Sequence, residues 1–504
     1  MLMLQPHSKK RKLIKSRLEE LILDTRCNAS SVIVRFLGVP CTISVKRLNR
    51  RFLRELRIDW KAWLAVDFDI DSESIEEEGL DAEGLYECMH AVKTKKFSSR
   101  KMQKHWFSMD SMKFAVTGTN VLLGGVSSKV LDKKNVLPEE VFRFCHKKMF
   151  LTKRNLKDFT LQQILTFPNR TRLHRIFSLQ DKVFCLLERE SSLSLVEIQD
   201  GLESASERVC YRELCCCYSS ASTSTQNSIF VQERNHSISS FLVGKGSIST
   251  LKFMIPEALQ ASGEFQSKNA KIKQLCEILF IPGKNLLVAI DFHGNLFFWK
   301  AVPSREAIPC DFKLNVDFYF NLKFGSKFRV PVSSSTLSSF GSQFAIMTNL
   351  CQILVFEIRR DFQFCISAAL EDCMITLTDS VSSLFHPRCI LLGKFLFCSG
   401  TKGDLVVYDV GSNQLIYKLD DLSHTKETQL LFTLMLGNRN FGFDQLEHLW
   451  TFDSRDRSFS LMILASLSGE LLSWEFSNSV TSADIDSNEF FPERVVLTTC
   501  NKNA

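Results

Sequence analysis

The sequence predicts an all-β repeat protein carrying a charged N-terminal extension, and three observations predict it. Four stretches share one pattern: Leu286–Trp299 (LLVAIDFHGNLFFW), Phe344–Phe356 (FAIMTNLCQILVF), Phe395–Tyr408 (FLFCSGTKGDLVVY) and Met462–Trp474 (MILASLSGELLSW). Each is an apolar run, a polar turn of small residues, and a second apolar run that closes on an aromatic. The closing aromatics stand at 299, 356, 408 and 474, so the units recur 57, 52 and 66 residues apart. The first 92 residues carry opposite blocks of charge instead, +9 over residues 1–60 and −9 over residues 61–92.

Each apolar–turn–apolar unit reads as a β-hairpin. Gly294-Asn295, Gly403-Asp404 and Gly469-Glu470 supply the backbone freedom a tight connection needs. Weaker units precede these four. Phe184–Ile198 reads as two strands around Glu190–Ser192, and Ile229–Val243 as two around Asn235-His236, which brings the visible units to six. A seventh is expected from Phe114–Ser127, whose paired glycines suit a turn or bulge, or from Ser31–Val45. Val495–Thr499 is expected to be an outermost strand completing a terminal unit. Glu257–Lys273 and Ser333–Ser339, rich in polar and small residues, read as insertions between units.

A repeat of this kind, in which each sheet has two faces to bury, resembles a divergent WD40-like β-propeller, whose unit runs to roughly 40–45 residues before loop insertions. The resemblance is strongest over Leu384–Asp409, where Phe385-His386-Pro387 precedes a strand, SGTKGD makes the turn, and Tyr408-Asp409 stands where the family has Trp-Asp. Phe356-Glu357 and Trp474-Glu475 keep the aromatic-acid pair, Trp299-Lys300 loses the acid, and no Gly-His pair opens any unit. The resemblance implies six or seven blades, with seven expected, over residues 110–504, and leaves residues 1–109 as a charged arm, partly helical or disordered. A β-sandwich or two unrelated β domains would also accommodate the hairpins.

A hydrophobic content of 45% over 504 residues suits one large globular body with an appendage. No apolar stretch approaches the roughly 18 residues of a membrane helix, so a soluble, intracellular protein without membrane partners is expected. The 17 cysteines fit that setting as free thiols, since Cys185, Cys351, Cys365 and Cys398 fall inside the apolar runs and no Cys-x-x-Cys pair occurs. Asp67, Asp69, Asp71 and Glu78 match the acidic positions of an EF-hand loop, but Ser72 stands where its sharp turn needs glycine, and an acidic tract is the better reading. Neither a metal nor a cofactor is expected. The sequence holds no P-loop, no Gly-x-Ser-x-Gly elbow, no His-Glu-x-x-His and no dinucleotide fingerprint, so no catalytic residue is assigned and binding is the expected activity.

Two residue groups stand out as binding elements. Lys9, Lys10, Arg11 and Lys12 form four contiguous cations that suit a nuclear import receptor, although the same stretch would also open an amphipathic helix. The basic arm also raises nucleic acid as a partner. Phe356, Glu357 and Arg359, in the run ILVFEIR, resemble the WDxR box by which WD40 substrate receptors dock on the damaged-DNA-binding adaptor of cullin-4 ubiquitin ligases, with Phe in place of Trp. That resemblance implies a guanidinium presented at the lower edge of a blade as a planar, charge-assisted donor. Three functional classes follow: a scaffold within a nuclear multiprotein complex, a ubiquitin-ligase substrate receptor, and a nucleic-acid-associated factor acting through its basic arm.

Overall fold

The structure is a computed structural model that describes residues 59–502 apart from 71, 78–80, 103–106, 118, 131–147, 157–158, 169, 180–181, 190–191, 201–204, 215–219, 224–227, 234–236, 244–247, 256–274, 282–283, 292–293, 301–306, 325–335, 341–342, 348–351, 360–362, 371–384, 387, 400–404, 420–443, 454–457, 466–470, 478–483 and 488–495. Two compact units divide the chain, Met1–Asp67 and Phe68–Ala504. The described part of the first lies in helix α1 (Trp60–Phe68), which opens where the Asp59 carboxylate accepts from the backbone N–H of Ala62 at 3.1 Å.

Four-stranded antiparallel groups build the second unit. Sheet I comprises Phe107–Thr117, Asn120–Val130, Met149–Asn155 and Leu161–Thr166. Sheet II comprises Thr171–Leu179, Lys182–Arg189, Ser192–Asp200 and Ala205–Leu214. Sheet III comprises Ser220–Thr223, Ser228–Glu233, Ser237–Val243 and Ile248–Met254. Sheet IV comprises Leu275–Ile281, Leu286–Asp291, Asn295–Lys300 and Phe312–Asn315; sheet V Thr336–Phe340, Gln343–Met347, Ile353–Ile358 and Phe364–Leu370; sheet VI Arg388–Leu392, Phe395–Ser399, Leu405–Asp409 and Gln414–Leu419. Sheet VII takes Asp444–Asp453, Ser458–Ala465 and Leu471–Phe476 from late in the chain and Phe97–Met102 from early in it. The first strand of each group lies against the first strand of the next, from sheet I round to sheet VII and back to sheet I. Up-and-down sheets ranked in a ring with the first strand innermost are the architecture of a β-propeller.

Sequential stacking explains why the strands read as continuous apolar runs. Along Lys182–Arg189, Cys185 and Leu187 enter the core shared with sheet I, whereas Phe184 and Leu186 enter the core shared with sheet III. Leu286, Val288 and Ile290 face sheet V, and the intervening Leu287 and Ala289 face sheet III. Side chains alternate between faces, but both faces are buried, so neither register is polar. Cys185 and Cys398 pack as buried thiols in these cores and Cys365 is half-buried, while Cys351 lies outside the described residues.

All four hairpins form the second and third strands of sheets IV, V, VI and VII, with Leu287 opposite Trp299, Phe344 opposite Phe356, Leu396 opposite Tyr408 and Leu461 opposite Trp474. The two weaker hairpins form as well, in sheets II and III. Several expectations need correction. The turn of the Phe114–Ser127 unit falls between Thr117 and Asn120; Gly124 and Gly125 lie in the second strand, opposite a register shift. A Cβ on Gly124 would meet Leu173 Cδ2 at 2.7 Å, so close packing between sheets I and II selects the glycine. Ser333–Ser339 is not wholly an insertion, since Thr336–Phe340 is the innermost strand of sheet V. Its residues are mostly small and polar, which hid it.

The boundary expected between residues 109 and 110 falls inside the first strand of sheet I, and Phe97–Met102 is already the fourth strand of sheet VII, Phe97 opposite Phe476. The expected terminal strand also lies elsewhere. Val496–Lys502 runs parallel to Leu161–Thr166 of sheet I and continues parallel to the start of Ala205–Leu214 of sheet II, joining the two outer edges. Sheet VII had no vacancy for it because the early strand fills that place.

Helices complete this unit. Helix α2 spans Ser72–Glu77 and helix α3 spans Ala82–Lys93. Asp81 caps α3 by accepting from Gly84 N at 3.2 Å, and Leu85, Tyr86, Cys88, Met89, Ala91 and Val92 are buried. Ordered helices thus occupy much of the tract whose acid count suggested a solvated segment. Helix α4 (Val316–Phe324) follows the last strand of sheet IV and sends Val316 and Phe320 into the core between sheets IV and V.

Candidate functional site

The candidate site lies on the lower face of the ring, the face that carries the turns between first and second strands and between third and fourth strands. Phe356 is its anchor. It is fully buried, stacked on Phe344 at 5.1 Å with 12° between the rings, and Tyr319 of α4 meets it edge-on at 5.7 Å. A register shift opposite Val355 and Phe356 leaves Ser367 extra on the outer strand, and its hydroxyl donates to Val355 O at 3.1 Å.

Glu357 stands opposite Gln343 on one side and Cys365 on the other. Its Oε2 lies 3.5 Å from the Arg359 guanidinium and 3.3 Å from Cys365 Sγ. Burial pushes the Cys365 thiol up, and the adjacent carboxylate adds to the shift, so this sulfur is held as a thiol and not as a nucleophilic thiolate. Arg359 N donates to Gln363 O at 2.8 Å, closing the turn, and the Arg359 side chain remains 60% exposed. A rigid aromatic two strands deep therefore carries an exposed guanidinium at the rim. The ion pair with Glu357 is itself solvent-exposed and contributes roughly 0–1 kcal/mol.

The equivalent aromatics serve the same packing role. Trp299 is fully buried in the core with sheet III and donates its Nε1–H to Met254 O at 3.0 Å. Tyr408 packs in the core with sheet V, and Asp409, beside it, accepts from Ser412 N at 3.2 Å and sits 3.7 Å from Lys394 Nζ. In sheets IV, V and VI this aromatic joins its sheet to the preceding one.

Sequence reasoning missed a second component of this face. Phe68 O accepts from Lys394 N at 2.8 Å, at the first turn of sheet VI. The Phe68 ring meets Tyr86 edge-on at 5.1 Å and Phe395 at 5.7 Å, with Lys394 Nζ 5.5 Å over it. Gly393 makes this approach possible: its φ is +53°, and a Cβ there would lie 2.4 Å from Phe68 O. Asp69 accepts from Nε2 of Gln343, the residue opposite Glu357. Farther along, Tyr417 OH donates to Val92 O at 2.9 Å. The apolar spacing of Phe68, Ile75, Tyr86, Met89 and Val92 signalled such packing, but the surrounding acids dominated the composition.

Lys9, Lys10, Arg11 and Lys12 lie outside the described residues, as do Asp71 and Glu78 of the acidic tract. Among the described residues no group of three or more His, Cys, Asp or Glu is placed to hold a metal ion, and no helix is long and apolar enough to cross a membrane.

No family model and no curated protein sequence matches the chain. Among solved structures, the β-propeller domain of Myceliophteria thermophila Cps50 (Swd1) is similar at a TM-score of 0.44 and 10% identity, over 76% of this chain and 100% of that one. Chaetomium thermophilum Raptor is similar at a TM-score of 0.45 and 9% identity, over 85% of this chain and 32% of that much longer one. The β-propeller assignment rests on the strand order and register of this chain itself.

Proposed function

We propose that this protein is a non-catalytic scaffold that binds other proteins through the lower face of its propeller together with its charged N-terminal region, within a nuclear multiprotein complex. One observation carries the reading: Arg359 is exposed beside Glu357 at the end of a strand anchored by the fully buried Phe356. A ring of packed sheets fixes the strand ends while leaving the connecting sequence free to suit a partner. Nuclear location is supported by Lys9–Lys12. The full chain and its Arg359→Ala variant, purified by affinity from cells and compared by quantitative mass spectrometry, test the reading. Loss of a defined subset of co-purifying proteins is expected; an unchanged set would remove the lower rim of sheet V from the interface.

The position of Arg359 favours one narrower reading. Should the variant lose a cullin-4 adaptor in particular, the scaffold is a ubiquitin-ligase substrate receptor. The basic arm keeps nucleic acid as a further alternative, distinguished by whether the purified complexes survive nuclease treatment.

A further inference from the structure

The outer edges of the sheets are treated unequally. Four carry an added strand contributed by the chain itself: Ala307-Ile308 on sheet III, Asp484–Ser487 on sheet VII, and successive parts of Val496–Lys502 on sheets I and II. All four additions run parallel to the strand they extend, and each engages a short stretch of backbone. Among the described residues, sheets IV, V and VI carry no such strand.

Of these three, sheet V has the least protected edge. Sheet IV ends in the short Phe312–Asn315 with Lys313 in it, and sheet VI ends in Gln414–Leu419, which contains Lys418 and is held through Tyr417 to Val92. Phe364–Leu370 reads FCISAAL, with no charge and no proline. Charges and prolines are the usual devices that keep a strand edge from pairing. Asn413 Nδ2 reaches Ala369 O at 3.4 Å, so the second half of this strand is partly engaged, and among the described residues no strand pairs with the outer side of Phe364–Ile366 before the extra Ser367.

Apolar surface gathers at the same edge. Phe312, on the outer strand of sheet IV, and Phe364 are both half-buried and stacked at 5.5 Å with 24° between the rings.

We propose that the outer edge of sheet V is a β-augmentation site: an extended segment of a partner protein adds there as a parallel strand, pairing with the backbone of Phe364–Ile366 and laying an apolar side chain on the Phe312–Phe364 pair. Backbone pairing supplies affinity and the aromatic pair supplies selectivity for a segment with apolar residues at alternate positions. The chain's own four additions set the parallel sense.

The test uses the full chain as bait for a displayed library of short random linear peptides, followed by synthesis of the consensus peptide. That peptide is expected to have alternating apolar positions and to slow amide hydrogen exchange across Phe364–Ile366. N-methylation of its alternate amides on one edge should weaken binding about tenfold, and on the other edge should leave it unchanged. Phe312→Ala should weaken binding while the circular dichroism of the protein is unaltered; because the N-methylated peptides leave the protein untouched, the test does not depend on that variant folding. Selection of peptides whose protection maps elsewhere, or that tolerate N-methylation on both edges, overturns the proposal. So does protection of Phe364–Ile366 that rises with protein concentration in the absence of peptide, which would make a second copy of the chain the occupant.

Discussion

At the scale of single residues, the two glycines with crowded Cβ positions make opposite demands. At Gly393 the obstacle is backbone, the Phe68 carbonyl, and φ is +53°. Nothing there moves without releasing the segment, so Gly393→Ala should lower stability by about 2 kcal/mol or more in urea unfolding. At Gly124 the nearest atoms are the methyl ends of Leu173 and Leu151, which shift between rotamers, and Gly124→Ala should cost about 1 kcal/mol. Tyr417 offers a pH-dependent check. Burial raises its hydroxyl well above the ordinary tyrosine range, so the folded protein keeps this proton while the unfolded chain releases it near pH 10. Its contribution is therefore complete below about pH 10 and declines as pH rises beyond it. Tyr417→Phe should lose about 1 kcal/mol at neutral pH with the Val92 hydrogen bond, and should flatten the alkaline decline in melting temperature.

Among the elements, Phe97–Met102 matters most, because it completes sheet VII with residues far away in sequence. A fragment starting at residue 110 lacks this strand, part of the first strand of sheet I, and the Phe68–Lys96 segment packed on sheet VI. It should melt at a lower temperature and aggregate more readily than a fragment starting at residue 68, as scanning calorimetry with light scattering would show. Hairpins were legible because both faces of each strand are buried, which writes the pairing into the sequence as apolar runs around a turn. Edge and inner strands were not. Phe97–Met102 (FSSRKM) is held by backbone pairing to Leu471–Phe476, which leaves little side-chain pattern. Val496–Lys502 was visible as a strand but not its destination, since parallel pairing at an outer edge is fixed by the path of the chain. The aromatic at Phe356 was readable as a strand residue from local pattern; the approach of Phe68 and Asp69 depended on contacts more than half the length of the chain apart.

For the whole molecule, charge distribution governs encounter with partners. The +9 block over residues 1–60 precedes a −9 block over residues 61–92, and blocks of one sign are levers for electrostatic steering. Removing the first unit, residues 1–67, should slow association with an acidic partner, while the intact chain should lose association rate as salt shortens the reach of its charges. Stopped-flow measurements over a salt series would register both; a rate indifferent to salt would place recognition on the sheets alone. Ring closure has a further consequence, for synthesis. Phe97 leaves the ribosome long before Phe476, its cross-strand partner, so the nascent chain carries an unpaired strand and exposed sheet faces until translation has passed the third strand of sheet VII. A protein built this way should depend on chaperones that shield strand edges during translation, and its yield should respond to elongation speed more strongly than its final stability would suggest.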